Sequence, residues 1–233
     1  MTARFNPTSR SICAALMTLA LGTANAAVVS WADWTSLSSN QQSATGTMGG
    51  VNVTVSSSAA MNGVSQLSGA GSCGTNYWTE PNAADRAYTG GTITNAPTAC
   101  EQLGLSGSNV VTVNFSSAVS NLYMALLSVG QAGLPVTYDF NQAFTIDSEG
   151  AGFWGNDTTN GILGVGDALT MREFHGALLF TSPVTSLTFS STAEHWHAFT
   201  FGSAVSAVPE PSALLLMGGA LFALGATARR RQV

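Results

Sequence analysis

Lysine is absent from the 233 residues, and every fixed positive charge is an arginine. Between Ala27 and Val208 only Arg86 and Arg172 occur, against eleven Asp and Glu residues, so this stretch carries a net charge of −9 with histidine neutral. Proteins that grip nucleic acid displace counterions from phosphates with clusters of Lys and Arg. No such cluster exists here, and nucleic acid is excluded as a partner. Charged residues make up only 8% of the chain, so solubility falls to Ser, Thr, Asn and Gly.

Other absences narrow the reading further. There is no convincing amphipathic helix, no internal repeat of about twenty to fifty residues and no long low-complexity linker, which leaves one domain as the default for the body. No GxSxG nucleophile motif is present. Asp147 and Glu149 are an acid pair of the type a glycosidase uses, but their nearness in sequence does not establish the required separation of about 5 to 10 Å across a sugar. Neither enzymatic activity nor a cofactor is expected.

What is present begins at the two ends. "MTARFNPTSRSICAALMTLALGTANA" has Arg4 and Arg10, an apolar run from about Ser11 to Leu21, and Ala24-Asn25-Ala26. Charge, apolar run and small-x-small triplet in that order mark a secretory signal peptide over residues 1–26, with cleavage after Ala26. The run is short for a membrane anchor.

At the other end, "AVPEPSALLLMGGALFALGATARRRQV" places an uncharged segment, Ala213 to Ala228, between a Pro-Glu-Pro and three arginines. A helix over 213–228 would be roughly 24 Å long, short of a hydrocarbon core of roughly 30 Å, so it would recruit flanking residues or thin the bilayer. As a buried core helix it would be apolar on every side, which a terminal helix in water does not sustain. Arg229, Arg230 and Arg231 would be retained in the cytoplasm, leaving the body outside. In Val208-Pro209-Glu210-Pro211-Ser212 two prolines fix φ and remove backbone donors, so this stretch is presented as a stiff, extended ribbon that a processing enzyme can read.

These elements together, "VPEPS", a short apolar helix and a terminal "RRR" behind an N-terminal signal, resemble the PEP-CTERM sorting signal of Gram-negative bacteria. The resemblance covers about the last 26 residues. It implies recognition by exosortase, a multi-pass membrane cysteine peptidase thought to cleave near the Pro-Glu-Pro. It also implies an inner-membrane-anchored precursor, then the cell surface or extracellular matrix, in species with exopolysaccharide and biofilm gene clusters. The β-rich body is similar to the extracellular portions of that group, whose roles are mostly unknown.

Between the two signals, residues 27–205 are rich in short alternating segments. "TGTMGGVNVTVSS" reads as a hairpin, Thr45 to Met48 and Val51 to Ser56 around Gly49-Gly50, with Val51, Val53 and Val55 on one face. "NVVTVNFS", "SNLYMALLSVG", "LPVTYDFNQAFTI", "HGALLFTS" and "VTSLTFSS" are rich in β-branched and aromatic residues and bounded by turn formers. The fold expected is all-β, an antiparallel sandwich or jelly-roll-like body, with residues 206–233 as the sorting signal and single transmembrane helix.

Cys13 lies in the signal, which leaves Cys73 and Cys100 as an even pair in an exported chain. An oxidising compartment favours a disulfide between them, with two buried thiols as the alternative. They lack the close spacing of zinc ligands. Both fall within Gly69 to Gly107, which has little periodicity and reads as a long, disulfide-tied excursion of the kind that carries binding function.

Candidate chemistry in the body is sparse. His195 and His197, at strand spacing, would share a face and could gather a metal with His175; the alternative is that both face solvent while Trp196 packs inward. Asp147, Glu149, Asn156, Asp157, Asn160 and Asp167 offer oxygen ligands for calcium without an EF-hand spacing, and turn-forming Asx residues are the commoner explanation for such a cluster. No metal site is therefore assigned. Trp78, Trp154 and Trp196 could form a stacking platform for sugar rings, or belong to the core. Two functions follow: a structural or adhesive surface or matrix component associated with exopolysaccharide or biofilm, and a carbohydrate-binding module, or a glycan hydrolase, acting on exopolysaccharide.

Overall fold

The computed structural model describes residues 26–61, 64–68, 73–79, 86–154, 161–164 and 167–204. The signal segment with Ala24, the sorting motif Val208 to Ser212, the apolar segment 213–228 and Arg229 to Arg231 lie outside the described residues. Among the described residues no helix is long and apolar enough to cross a membrane.

The described residues form fifteen strands and one short helix, in order β1 (Val29–Trp31), β2 (Asp33–Leu37), β3 (Ser43–Met48), β4 (Val51–Ser57), β5 (Gln66–Leu67), α1 (Arg86–Thr89), β6 (Glu101–Leu105), β7 (Asn109–Val119), β8 (Leu122–Val129), β9 (Val136–Phe140), β10 (Thr145–Glu149), β11 (Gly161–Leu163), β12 (Ala168–Met171), β13 (Phe174–Phe180), β14 (Val184–Ser191) and β15 (His197–Ala204). They form two antiparallel sheets. One runs β10-β13-β8-β15-β6-β5, with β1 also beside β15; the other runs β11-β12-β9-β14-β7-β4-β3-β2.

The expected hairpin is β3–β4. Met48 pairs with Val51, and Gly49 and Gly50 sit at φ 56° and 83°. Two consecutive left-handed residues make the tight turn whose twist matches the flanking strands, and glycine adopts them without strain.

Period-two alternation builds the central core. Val53 and Val55 of β4 and Val111 and Val113 of β7 face Met124 and Leu126 of β8 and Phe199 and Phe201 of β15, all in one apolar cluster between the sheets. The Trp34 indole N–H donates to Thr200 Oγ1 at 3.1 Å, a buried bond between the two sheets.

β8 is buried at all eight positions, which a two-layer sandwich alone does not explain. The outer face of its sheet carries a second apolar cluster, in which Trp78, Ala87, Tyr88 and Ile93 cover Tyr123, Ala125, Leu127, Ala177 and Ala198. Alanines on the sheet leave room for the large rings above. The expected excursion is therefore a cover over the sheet, and its last part, β6, is itself a strand of that sheet. Cys73 and Cys100 are disulfide-bonded across 27 residues with Cα atoms 4.9 Å apart, fastening the start of the cover to the residue before β6.

Polar contacts fix the other end of the cover. The Tyr88 hydroxyl donates to Leu126 O at 3.2 Å and lies 3.4 Å from His175 Nδ1. His175 Nε2 is 3.2 Å from Glu173 Oε1, which also accepts from Ser128 Oγ at 2.6 Å. Burial pushes the Glu173 carboxyl up, but hydrogen bonds from His175 and Ser128 and the His175 charge outweigh it and hold Glu173 below its ordinary value.

Candidate functional site

Tyr77 and Trp78 follow the disulfide in a turn where Asn76 Oδ1 accepts from Trp78 N at 3.1 Å. Trp78 goes inward, edge-on to Tyr88 at 5.3 Å, and is 1% exposed. It is thus no part of a stacking platform: its indole is a large apolar body fully used in covering the sheet.

Tyr77 takes the other direction. Its ring stacks on Trp154, with centroids 5.0 Å apart and 24° between planes. It meets Phe153 edge-on at 5.1 Å and Trp196 at 6.0 Å. Trp154 and Trp196 in turn meet at 5.2 Å and 80°. Three chain-distant segments, the disulfide-tied cover, the residues after β10 and the residue before β15, thus place four aromatic rings together. Trp154 remains 50% exposed, while Tyr77, Phe153 and Trp196 are half-buried. Trp154 and Trp196 were expected in such a group. Tyr77 and Phe153 were not, and the Tyr77-Trp78 and Phe153-Trp154 doublets, each flanked by turn residues, are the signal that could have shown them.

Beside this group lies a depression of about 240 Å³ lined by Val64, Gln66, Cys73, Gly74, Thr75 and Tyr77. Tyr77 is shared by both features. Gln66, on β5, holds the rim in place by donating from Nε2 to Thr75 O at 3.1 Å.

The other candidate residues are engaged elsewhere. His197 is buried with Nδ1 3.1 Å from Glu194 Oε2, which also accepts from Gly130 N at 2.7 Å. His195 precedes the strand and is exposed, so the two histidines share neither a face nor a ligand. The Tyr138 hydroxyl near this pair is pushed well above its ordinary pKa by burial and then by the Glu194 charge. Asp147 sits at the β10 bulge, where its carboxylate accepts from Thr92 N and from Thr92 Oγ1 at 2.6 Å. Its work is to tie the cover to β10. Asn156, Asp157 and Asn160 lie outside the described residues, and among those described no three His, Cys, Asp or Glu gather as metal ligands.

The two ends of the body meet on one sheet. Val29 pairs with Ala204, and Ala27 N donates to Thr92 O at 2.8 Å. The chain enters and leaves at the same end of β15, whereas Trp196 stands at the opposite end, about 23 Å away for a strand of this length.

Neither curated proteins nor solved structures give a match to the chain. Residues 207–231 match the PEP-CTERM protein-sorting motif. This match coincides with the Pro-Glu-Pro ribbon, the apolar segment and the arginines. The chain therefore carries a C-terminal PEP-CTERM sorting signal, the mark of an exported protein processed at the membrane by an exosortase.

Proposed function

We propose that the protein is delivered by its tail to the cell surface or extracellular matrix of a Gram-negative bacterium, where the body is a non-enzymatic structural or adhesive component associated with exopolysaccharide. The single observation carrying this is the sorting motif at residues 207–231. In this reading residues 213–228 hold the precursor in the inner membrane, Arg229 to Arg231 set its orientation, and the extended Pro-Glu-Pro is presented for cleavage. Signal cleavage after Ala26 suits the body, because Ala27 is already held there by backbone hydrogen bonds with Thr92 and Thr94. Replacing Pro209-Glu210-Pro211 by alanines in a native-type host is expected to leave an uncleaved, membrane-bound precursor on an immunoblot. Normal processing of that variant would refute the reading.

A second reading, carbohydrate binding by the body, is favoured by the four-ring group at Tyr77, Phe153, Trp154 and Trp196. Flat aromatic faces bury area against sugar rings at low entropic cost, and half of Trp154 is open to solvent. Pull-down with neutral polysaccharide tests it: binding is expected to be saturable and lost in Trp154→Ala.

A further inference from the structure

The cover is fastened unevenly along its length. Its later part is tied to the sheet at several points. Ser148 Oγ donates to Ala87 O at 2.8 Å and the Asp147 carboxylate accepts from Thr92. Asn95 meets both backbone groups of Val29 at 2.8 Å, and its carbonyl accepts from the Trp31 indole at 3.0 Å. The first part is held otherwise. Gln66 Nε2, from the two-residue strand β5, donates to Thr75 O, while Trp78 N and Thr79 Oγ1 donate to Asn76 within the turn itself. Tyr77 therefore stands between two anchors, the bridge at Cys73 and the buried indole of Trp78.

The bridge lies at the surface of the cover. Both cysteines are half-buried, and Cys73 lines the depression of about 240 Å³ together with the exposed Gly74 and Thr75. The chain is exported, so its thiols pass from a reducing compartment into an oxidising one.

We propose that the Cys73–Cys100 bridge is a redox-sensitive latch on the aromatic group. Closed, it holds Tyr77 on Trp154. Reduced, it releases residues 73–77 about Trp78 as the pivot, while the sheets and the later part of the cover stay folded. Oxidation after export is then what completes the group. A consequence for polysaccharide rests on the carbohydrate reading above, whereas the latch itself does not.

Opening takes two electrons from a dithiol. One thiolate of the reagent attacks a sulfur of the bridge, the S–S bond breaks, and the other cysteine leaves as a thiolate and takes up a proton. The second thiol of the reagent then displaces the mixed disulfide, so both cysteines end as thiols and the reagent as a cyclic disulfide. Closing reverses these steps, with a disulfide reagent as the electron acceptor.

The test uses the full chain expressed in a native-type host and purified as exported, with dithiothreitol as the reductant and its cyclic disulfide as the oxidant. Near-ultraviolet circular dichroism reads the packing of the aromatic rings, with Tyr77→Ala marking the signal of the Tyr77–Trp154 stack. Hydrogen exchange reads local opening. On reduction without denaturant the aromatic signal is expected to fall to that of Tyr77→Ala, and exchange over residues 73–77 to quicken by about tenfold or more, while residues 87–95 and Leu122–Val129 stay within about twofold; reoxidation restores both. An aromatic signal and exchange rates that reduction leaves unchanged would overturn the latch. Loss of protection across Leu122–Val129 as well would overturn it in favour of a bridge that holds the whole fold, and a bridge that dithiothreitol opens only in denaturant would overturn it too. Failure of the carbohydrate reading shows separately, as no binding of dextran in either redox state, because neither structural readout depends on a ligand.

Discussion

Trp78 and Trp154 put one side chain to opposite uses, and substitutions separate them. Trp78 is 1% exposed against Tyr88, so Trp78→Ala opens a cavity and is expected to cost about 3 to 5 kcal/mol in chemical denaturation. Trp154→Ala, half exposed, gives up its ring contacts with Tyr77 and Trp196, worth about 0.5 to 1.5 kcal/mol each, and should therefore cost clearly less than Trp78→Ala while abolishing polysaccharide binding. A large stability loss in Trp154→Ala would contradict the surface assignment. Glu173 is a different kind of residue-scale case. Its carboxyl is held below the ordinary value in the folded state, so its contribution is present above the unfolded pKa near about 4.3 and disappears as pH falls through the lower folded value. The melting-temperature gap between wild type and Glu173→Gln should therefore be full at neutral pH and close in acid. A gap that persists or widens in acid would contradict the hydrogen-bonded carboxylate.

At the scale of elements, the disulfide-tied cover is the part most exposed to test. In the chain-entropy description a bridge over 27 residues stabilises by about 3.5 kcal/mol. Cys73→Ser with Cys100→Ser should lose about that much, and because the bridge fastens Tyr77 near its partners, polysaccharide binding should weaken too. The strands with clean alternation, such as Val51–Ser57 and Asn109–Val119, were legible in the sequence because one face meets the core and the other meets water. β6 was not: "EQLGL" has a glycine and two polar residues, and Gln102 is buried on a face that water would normally hold. The apolar run Leu122–Val129 reads as a strand, but nothing local says that a loop some forty residues earlier covers its second face. The aromatic group was half legible for a related reason. Tryptophan announces either core or surface, and only the cover decides between them, sending Trp78 under and Tyr77 out. His197 misled because its spacing from His195 is that of a strand face, while the strand begins only at His197.

For the whole molecule, the two ends of the body and the aromatic group lie at opposite ends of one strand. Ala204, from which the chain runs to its sorting signal, pairs with Val29 at one end of β15, and Trp196 precedes the other. A body tethered by its C-terminal segment would hold the aromatic group about 23 Å further from the attachment point, where a polysaccharide outside the membrane can reach it. The strongly acidic, lysine-free body would be repelled by anionic lipid headgroups rather than drawn to them, so in the proposed reading attachment would fall to the tail. The most direct measurement is mass-spectrometric mapping of both termini of the exported protein from a native-type host. The account predicts a chain that begins at Ala27 and has lost the apolar segment with Arg229, Arg230 and Arg231; exported protein that still ends in those arginines would contradict it.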